Sequence, residues 1–255
     1  MKNFSRPGLI ACLCLSLSPG ISAQDSDTWQ WRVIPYLWGL NVDGTMEIGP
    51  IENDLDVSFS DIIDNMDIGG SIAGQFSKGQ HGFHVDYTYL RLKPDANELP
   101  SPPFAPGSEI VPKMTINVLE GGYNWLFNNN QALIIGARYI DLEMRMNPVL
   151  TGPAPIDPDP LTAGPSWVEY FVGLQSRHHL SANWGVNLVG TIGAGGSDFP
   201  WTAQATFDRK FSNDNALHLG FRIWGLDYSE NKNSLNARAA LDATMYGFLV
   251  GYEFN

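Results

Sequence analysis

The chain has 255 residues, 44% of them hydrophobic and 16% charged, and carries a formal net charge of −12. An acidic chain without a basic tract excludes nucleic acid as a partner. The two cysteines, Cys12 and Cys14, both lie close to the N-terminus, so the remainder has no disulfide, no thiolate metal site and no cysteine nucleophile.

The N-terminus reads as a secretory signal over residues 1–23. Lys2 and Arg6 precede a short apolar run, LIACLCLSL (Leu9 to Leu17), which Pro19-Gly20 breaks, and ISA before Gln24 offers cleavage after Ala23. The run is too short to span a bilayer as a helix. Acylation of Cys12, as in a lipoprotein, is the rival reading. Cleavage would remove Lys2 and Arg6 and leave 232 residues with a net charge of −14. No linker divides residues 24–255, which read as one domain.

Next in chain order comes the loop LDVSFSDIIDNMD (Leu55 to Asp67). Ser58 or Ser60 is placed to cap a short helix, with Asp61 in its first turn. Phe59, Ile62, Ile63 and Met66 follow at roughly helical spacing, so this helix is a candidate gate over the barrel mouth or a partner surface. The plainer alternative is a loop held by its own apolar stripe. Its aspartates lack the spacing of a calcium loop.

The stretch GFHVDYTYLRL (Gly82 to Leu92) alternates strictly. Phe83, Val85, Tyr87 and Tyr89 fall on one face, and His84, Asp86 and Thr88 on the other, the mark of a β-strand with one apolar face. Gly79-Gln80 before it suits a two-residue hairpin turn. Pairing about that turn places Phe76 opposite Phe83, Gln75 opposite His84 and Ala73 opposite Asp86. A second turn, FNNNQ, places Glu120 opposite Arg138 as a cross-strand ion pair. SANWG (Ser181 to Gly185) and SNDN (Ser212 to Asn215) are the third and fourth.

Longer connections separate these hairpins: Gly49 to Asp67, Pro94 to Pro112, Asn147 to Pro165 and Ser229 to Asn236, with a shorter one near Ser197 to Pro200. Two are rich in proline, which blocks strand continuation and keeps the loops outside the sheet. The count gives an all-β, up-and-down antiparallel barrel of about ten strands, with eight or twelve as alternatives. Short turns on one rim and long loops on the other is the asymmetry of outer-membrane barrels, with short turns in the periplasm.

In that arrangement the aromatic-rich faces meet lipid, and the opposite faces line the lumen. Asp86, Glu120, Arg138 and Glu169 are candidate lumen-lining residues, as are Arg177, Asp208, Arg222 and Glu253. Paired with one another they would largely fill a narrow barrel. The alternative is a selectivity lining for small solutes. Phe76, Phe83, Trp125, Phe127, Trp184, Phe211, Tyr252 and Phe254 sit near the short turns, as an interfacial girdle would. The histidines, His81, His84, His178, His179 and His218, all lie in or beside the short turns, so none is available for a catalytic set at the outer rim. No catalytic, metal or cofactor site is read from the sequence.

The closing stretch YGFLVGYEFN resembles the last strand of bacterial outer-membrane proteins, which the assembly machinery reads, although Asn255 follows the final aromatic. Tyr246 to Phe254 would then engage that machinery. PYLWGLNVDGTM, DVSFSDIIDNMD, GARYIDLEM, WVEYFVGLQSR and GFRIWGLDY together resemble a family of small, mostly uncharacterised bacterial outer-membrane β-barrel proteins. Glu169 stands where that pattern would have an Asp. The resemblance implies the fold, the bacterial outer membrane as location, and lipid and lipopolysaccharide as surroundings. It implies no activity. The sequence therefore points to a non-enzymatic structural or surface protein. A narrow passive channel and a soluble, lipocalin-like periplasmic binder are the alternatives.

Overall fold

The computed structural model describes residues 28–48, 51–92, 97–98, 106–149, 161–232 and 237–255. The segment read as a secretory signal lies outside the described residues. In chain order the elements are β1 (Gln30–Ile48), β2 (Ile51–Val57), α1 (Phe59–Asn65), β3 (Met66–Lys78), β4 (His81–Leu92), β5 (Asn97–Glu98), β6 (Glu109–Asn128) and β7 (Gln131–Val149). They continue with β8 (Leu161–Ala163), β9 (Ser166–His179), β10 (Trp184–Gly195), β11 (Trp201–Lys210), β12 (Ala216–Lys232) and β13 (Ala237–Glu253).

Ten of the strands form the wall. β1, β3, β4, β6, β7, β9, β10, β11, β12 and β13 each pair antiparallel with the next, and β13 returns to pair with β1. The sheet is therefore a closed ten-stranded barrel. β2, β5 and β8 are short additions to β1, β6 and β7.

The register is the one that the alternation and the turns dictate. Phe76 faces Phe83, Gln75 faces His84 and Ala73 faces Asp86 across the β3–β4 hairpin. Its two-residue turn starts at Gly79, whose φ of 57° is left-handed and free of steric cost for glycine. Glu120 faces Arg138 across β6–β7, where a bulge at Phe127 absorbs the odd residue before the turn.

Some strands run further than the proline-rich segments suggest. β6 already begins at Glu109 and β7 continues to Val149, with Pro112 opposite Met146 and Pro148 opposite Ile110. Proline lacks only the N–H donor, so a strand accommodates it where the ladder does not need that donor. Extended pairing wins here over the break that the prolines suggest.

Each wall strand turns large apolar side chains outward. Leu37, Ile72, Val85, Leu119 and Ile135 come from the first five wall strands, and Val172, Leu188, Phe207, Leu219 and Phe248 from the other five; all are exposed, Phe248 at 73%. The buried apolar residues lie inside the barrel. One cluster holds Ile140, Trp167, Trp224, Leu226 and Tyr228, and a second holds Leu40 of β1 and Ile62 of α1. Trp38 and Met245 pack against both.

The wall has one discontinuity. β3 pairs with β1 only from Gln30 to Tyr36, and β2 takes up the same edge only from Val42 onward. Residues 37–41 of β1 therefore have no strand partner on that side. α1 lies against this gap: the Phe59 amide donates to Asn41 Oδ1 at 2.8 Å, and the Phe59 ring covers Gly39.

Candidate functional site

The lumen divides into two halves of opposite character. On the short-turn side it is a cavity of about 790 Å³, reaching from the rim residues Asn130, Ser181 and Asn183 inward to Tyr36, Glu120 and Arg222. That volume is in the range of small-molecule pockets.

Alternation along each strand sends every candidate lumen residue inward. Arg138 of β7 forms the centre of one network. Its Nε and Nη2 donate to Glu120 Oε2 at 2.8 and 2.6 Å, and Nη1 donates to Glu169 Oε2 at 3.3 Å. His84 Nε2 lies 3.3 Å from the other oxygen of Glu120. Glu169 is fully buried and also accepts from Trp167 Nε1 at 3.1 Å and from the Ser197 hydroxyl. The two-carboxylate environment satisfies a guanidinium that burial would otherwise penalise.

A second network crosses the lumen. The Tyr36 hydroxyl of β1 donates to Asp86 of β4 at 2.8 Å, and Arg222 of β12 reaches that hydroxyl at 3.3 Å and Asp86 Oδ2 at 4.0 Å. Gln204 accepts from Arg222 Nε at 2.7 Å. Nearer the short turns, His218 sits between Asp208 at 2.6 Å and Glu253 at 3.1 Å, and Arg32 lies 3.7 Å from Glu253. Arg177 differs from these three. Its guanidinium crosses from β9 to Gln75 of β3 at 3.3 Å. Thus Asp86 and Arg222 come together, Glu120, Arg138 and Glu169 come together, and Asp208 and Glu253 share a histidine. Among the described residues, no three His, Asp or Glu side chains are placed to hold a metal ion.

On the other side of the arginines the lumen is apolar. The Arg138 guanidinium carbon lies 4.5 Å from the Trp224 ring centroid and 5.4 Å from that of Phe171. Arg222 lies over Tyr36 at 5.5 Å and Trp38 at 5.3 Å. Trp167 and Tyr228 stack beyond them with centroids 4.2 Å apart. Asp86, Glu120, Arg177, Asp208, Arg222 and Glu253 line the cavity, and Arg138 and Glu169 lie behind that lining. Beyond them the lumen holds a plug of rings and aliphatic groups. The reason is volume: indole and phenol rings span more of a ten-strand lumen than a carboxylate can.

The plug residues escaped the sequence reading, yet they carry a signal. Trp167 is in phase with Glu169, and Trp224 with Arg222, so period two alone assigns both rings to the inner face. The apolar character of tryptophan hides that phase when strands are sorted by polarity.

α1 packs on the plug side. Ser58 caps it: its hydroxyl accepts from the Asp61 amide at 3.3 Å, while Asp61 Oδ2 accepts from the Ser58 amide at 3.0 Å and hydroxyl at 2.6 Å. This reciprocal pair is a capping box. Ile62 is buried in the second cluster, while Phe59 and Ile63 are exposed. Met66 opens β3 rather than belonging to the helix, and its side chain lies outside the described residues.

No protein-family model matches the chain, and no curated protein does. Solved structures do. The outer membrane protease OmpT from Escherichia coli aligns with a TM-score of 0.47 and 8% identity, over 88% of this chain and 96% of that one. Ail, the attachment invasion locus protein of Yersinia pestis, aligns with a TM-score of 0.38 and 9% identity, over 88% of this chain and 98% of that one. A Pseudomonas aeruginosa FadL homologue aligns with a TM-score of 0.34 and 7% identity, over 89% and 90%. None of the three transfers an activity to this chain.

Proposed function

We propose that the chain is an integral protein of the bacterial outer membrane without enzymatic activity, exported by its segment 1–23, whose lumen is a blind vestibule open to the periplasm. The supporting observation is the plug. Trp38, Trp167, Trp224 and Tyr228 pack in the lumen beyond Arg138 and Arg222, which supports a polar cavity with one mouth. The exposed apolar side chains on every wall strand support the membrane setting over a soluble, lipocalin-like binder. In water such a belt would drive association, whereas lipid satisfies it. Short turns face the periplasm in such barrels, which orients the cavity mouth inward and α1 outward. Lipid and lipopolysaccharide surround the belt, and the strand ending at Tyr246 to Phe254 is the segment offered to the assembly machinery.

The test is conductance of the refolded protein in a planar bilayer. The wild type gives no current steps, and Trp38→Ala with Trp224→Ala gives them. Steps from the wild type would overturn the blind vestibule and establish the narrow passive channel instead.

A further inference from the structure

The gap in the wall, the helix across it and the Trp38 indole lie together, and Trp38 also packs against the cluster that holds Trp224. Leu37 and Gly39, at the gap, pair on their other side with Val250 and Phe248, which are 50% and 73% exposed within the apolar belt. The gap therefore opens toward lipid. Across it, on β3, Gly70 has open space where a side chain would stand. Inside it, Trp38 projects into the plug beside Leu40, Ile62 and Met245.

A wall without strand pairing is costly wherever lipid reaches it, because lipid offers no hydrogen bonds to the backbone. It is also a part of the wall that can open without breaking a strand ladder, since one helix of seven residues covers it. Phe59 is the outer cover over Gly39 and Ile62 the inner one.

The indole nitrogens of Trp38 and Trp224 are buried and have no acceptor within the described residues. Buried N–H groups are nearly always paired, so two in one cluster ask for an acceptor. The surroundings are otherwise apolar, and the neighbouring arginines already have partners in Glu120, Glu169 and Asp86. An uncharged oxygen on an apolar body fits these donors. A carboxylate would have to give up more hydration than two neutral indoles return.

We propose that the β1–β3 gap is a lateral portal with α1 as its door, through which an acyl chain bearing an ester carbonyl enters from the bilayer to the Trp38–Trp224 site. This rests on the membrane reading above, but not on the vestibule being blind.

The experiment uses the protein refolded into phosphatidylcholine vesicles, with heat-modifiable migration as the check that each variant is folded. Tryptophan emission is quenched in two arms, by a bromine-tipped fatty acid methyl ester and by a phosphatidylcholine brominated on its acyl chains. Outward tryptophans contribute equally to the wild type and to Trp38→Phe with Trp224→Phe, so the difference between the two reports the inner site. Greater quenching of the wild type is expected. If only the free ester gives it, the ligand is a diffusing ester; if the brominated lipid also gives it, a bilayer lipid chain enters. Phe59 is about half covered, so Phe59→Ala should lower the half-maximal concentration by about tenfold. Gly39→Leu should raise it by jamming the door. Equal quenching of wild type and double variant in both arms overturns the site. A difference that Phe59→Ala leaves unmoved overturns α1 as the door. The vestibule is tested separately by conductance, so either idea can fail alone.

Discussion

Arg138 stacks on Trp224 with its guanidinium carbon 4.5 Å from the ring centroid, at the level where the polar cavity gives way to the plug. One side chain thus ends the charged network through Glu120 and Glu169 and begins the aromatic one. Arginine suits this position because its planar ion binds carboxylates edge-on and aromatic rings face-on. Arg138→Leu would leave two carboxylates without their cation in the lumen, one of them fully buried. The expected loss is about 3–5 kcal/mol of unfolding free energy. Glu120→Gln, which leaves Glu169 as counter-charge, should cost less. The combined Arg138→Leu, Glu120→Gln variant should be more stable than the sum of the two losses requires. Urea unfolding of the four proteins in lipid vesicles closes the double-mutant cycle. Strict additivity would show that the network contributes nothing jointly.

The cap of α1 makes the helix sensitive to acid. The Ser58 hydroxyl and amide hold the exposed Asp61 carboxyl below its ordinary range. For a carboxylate lowered in the folded state, stabilisation is complete above the unfolded value and is lost as pH falls through the folded one. The helix should keep its protection from hydrogen exchange at neutral pH and lose it only below the ordinary aspartate range. Ser58→Ala should cost the helix about 1 kcal/mol. In that variant protection should fall at neutral pH as well, while the barrel strands keep theirs.

Closure of the barrel depends on a close approach between β13 and β1. A side chain at Gly247 would run into the Gly39 carbonyl oxygen, whereas one at Gly190 would meet nothing nearer than 4.0 Å. Gly247→Val should therefore abolish the heat-modifiable form, and Gly190→Ala should retain it. A folded Gly247→Val protein would mean that the β1–β13 seam can spread without penalty.

Much of this architecture is legible in the residues. Alternation from Phe83 to Tyr89 and the turns at Gly79-Gln80 and Asn129 set strand direction, facing and register, because a slip of one residue would turn every side chain around. The Glu120–Arg138 contact follows from that register alone. The plug does not follow, because Trp167 and Trp224 are apolar residues on a face otherwise recognised by charge. The cross-lumen contacts of Arg177 with Gln75 and of Arg222 with Tyr36 join residues far apart in sequence. They depend on barrel curvature, which no local pattern encodes. The gap beside Gly39 is equally silent, since β1 reads as one unbroken strand and only its partners change.

Phe248 offers the sharpest test of the belt. It is the most exposed of the outward apolar side chains of the wall strands, at 73%, and it packs edge-on against Phe221 with ring centroids 5.3 Å apart. In a protein that lived in water, exchanging so exposed a ring for arginine would cost little and would improve solubility. In lipid the same exchange places a charge in the hydrocarbon layer, at about 2–4 kcal/mol near the midplane. Phe248→Arg should therefore unfold at lower urea in vesicles, while the inward Thr206→Ser, in the polar cavity, should not. The cost should shrink in bilayers of shorter acyl chains, where the guanidinium reaches the headgroups sooner. If Phe248→Arg were as stable as the wild type in every bilayer, the outward face would not be a lipid face. The aromatic belt would then have to be assigned to contacts between proteins.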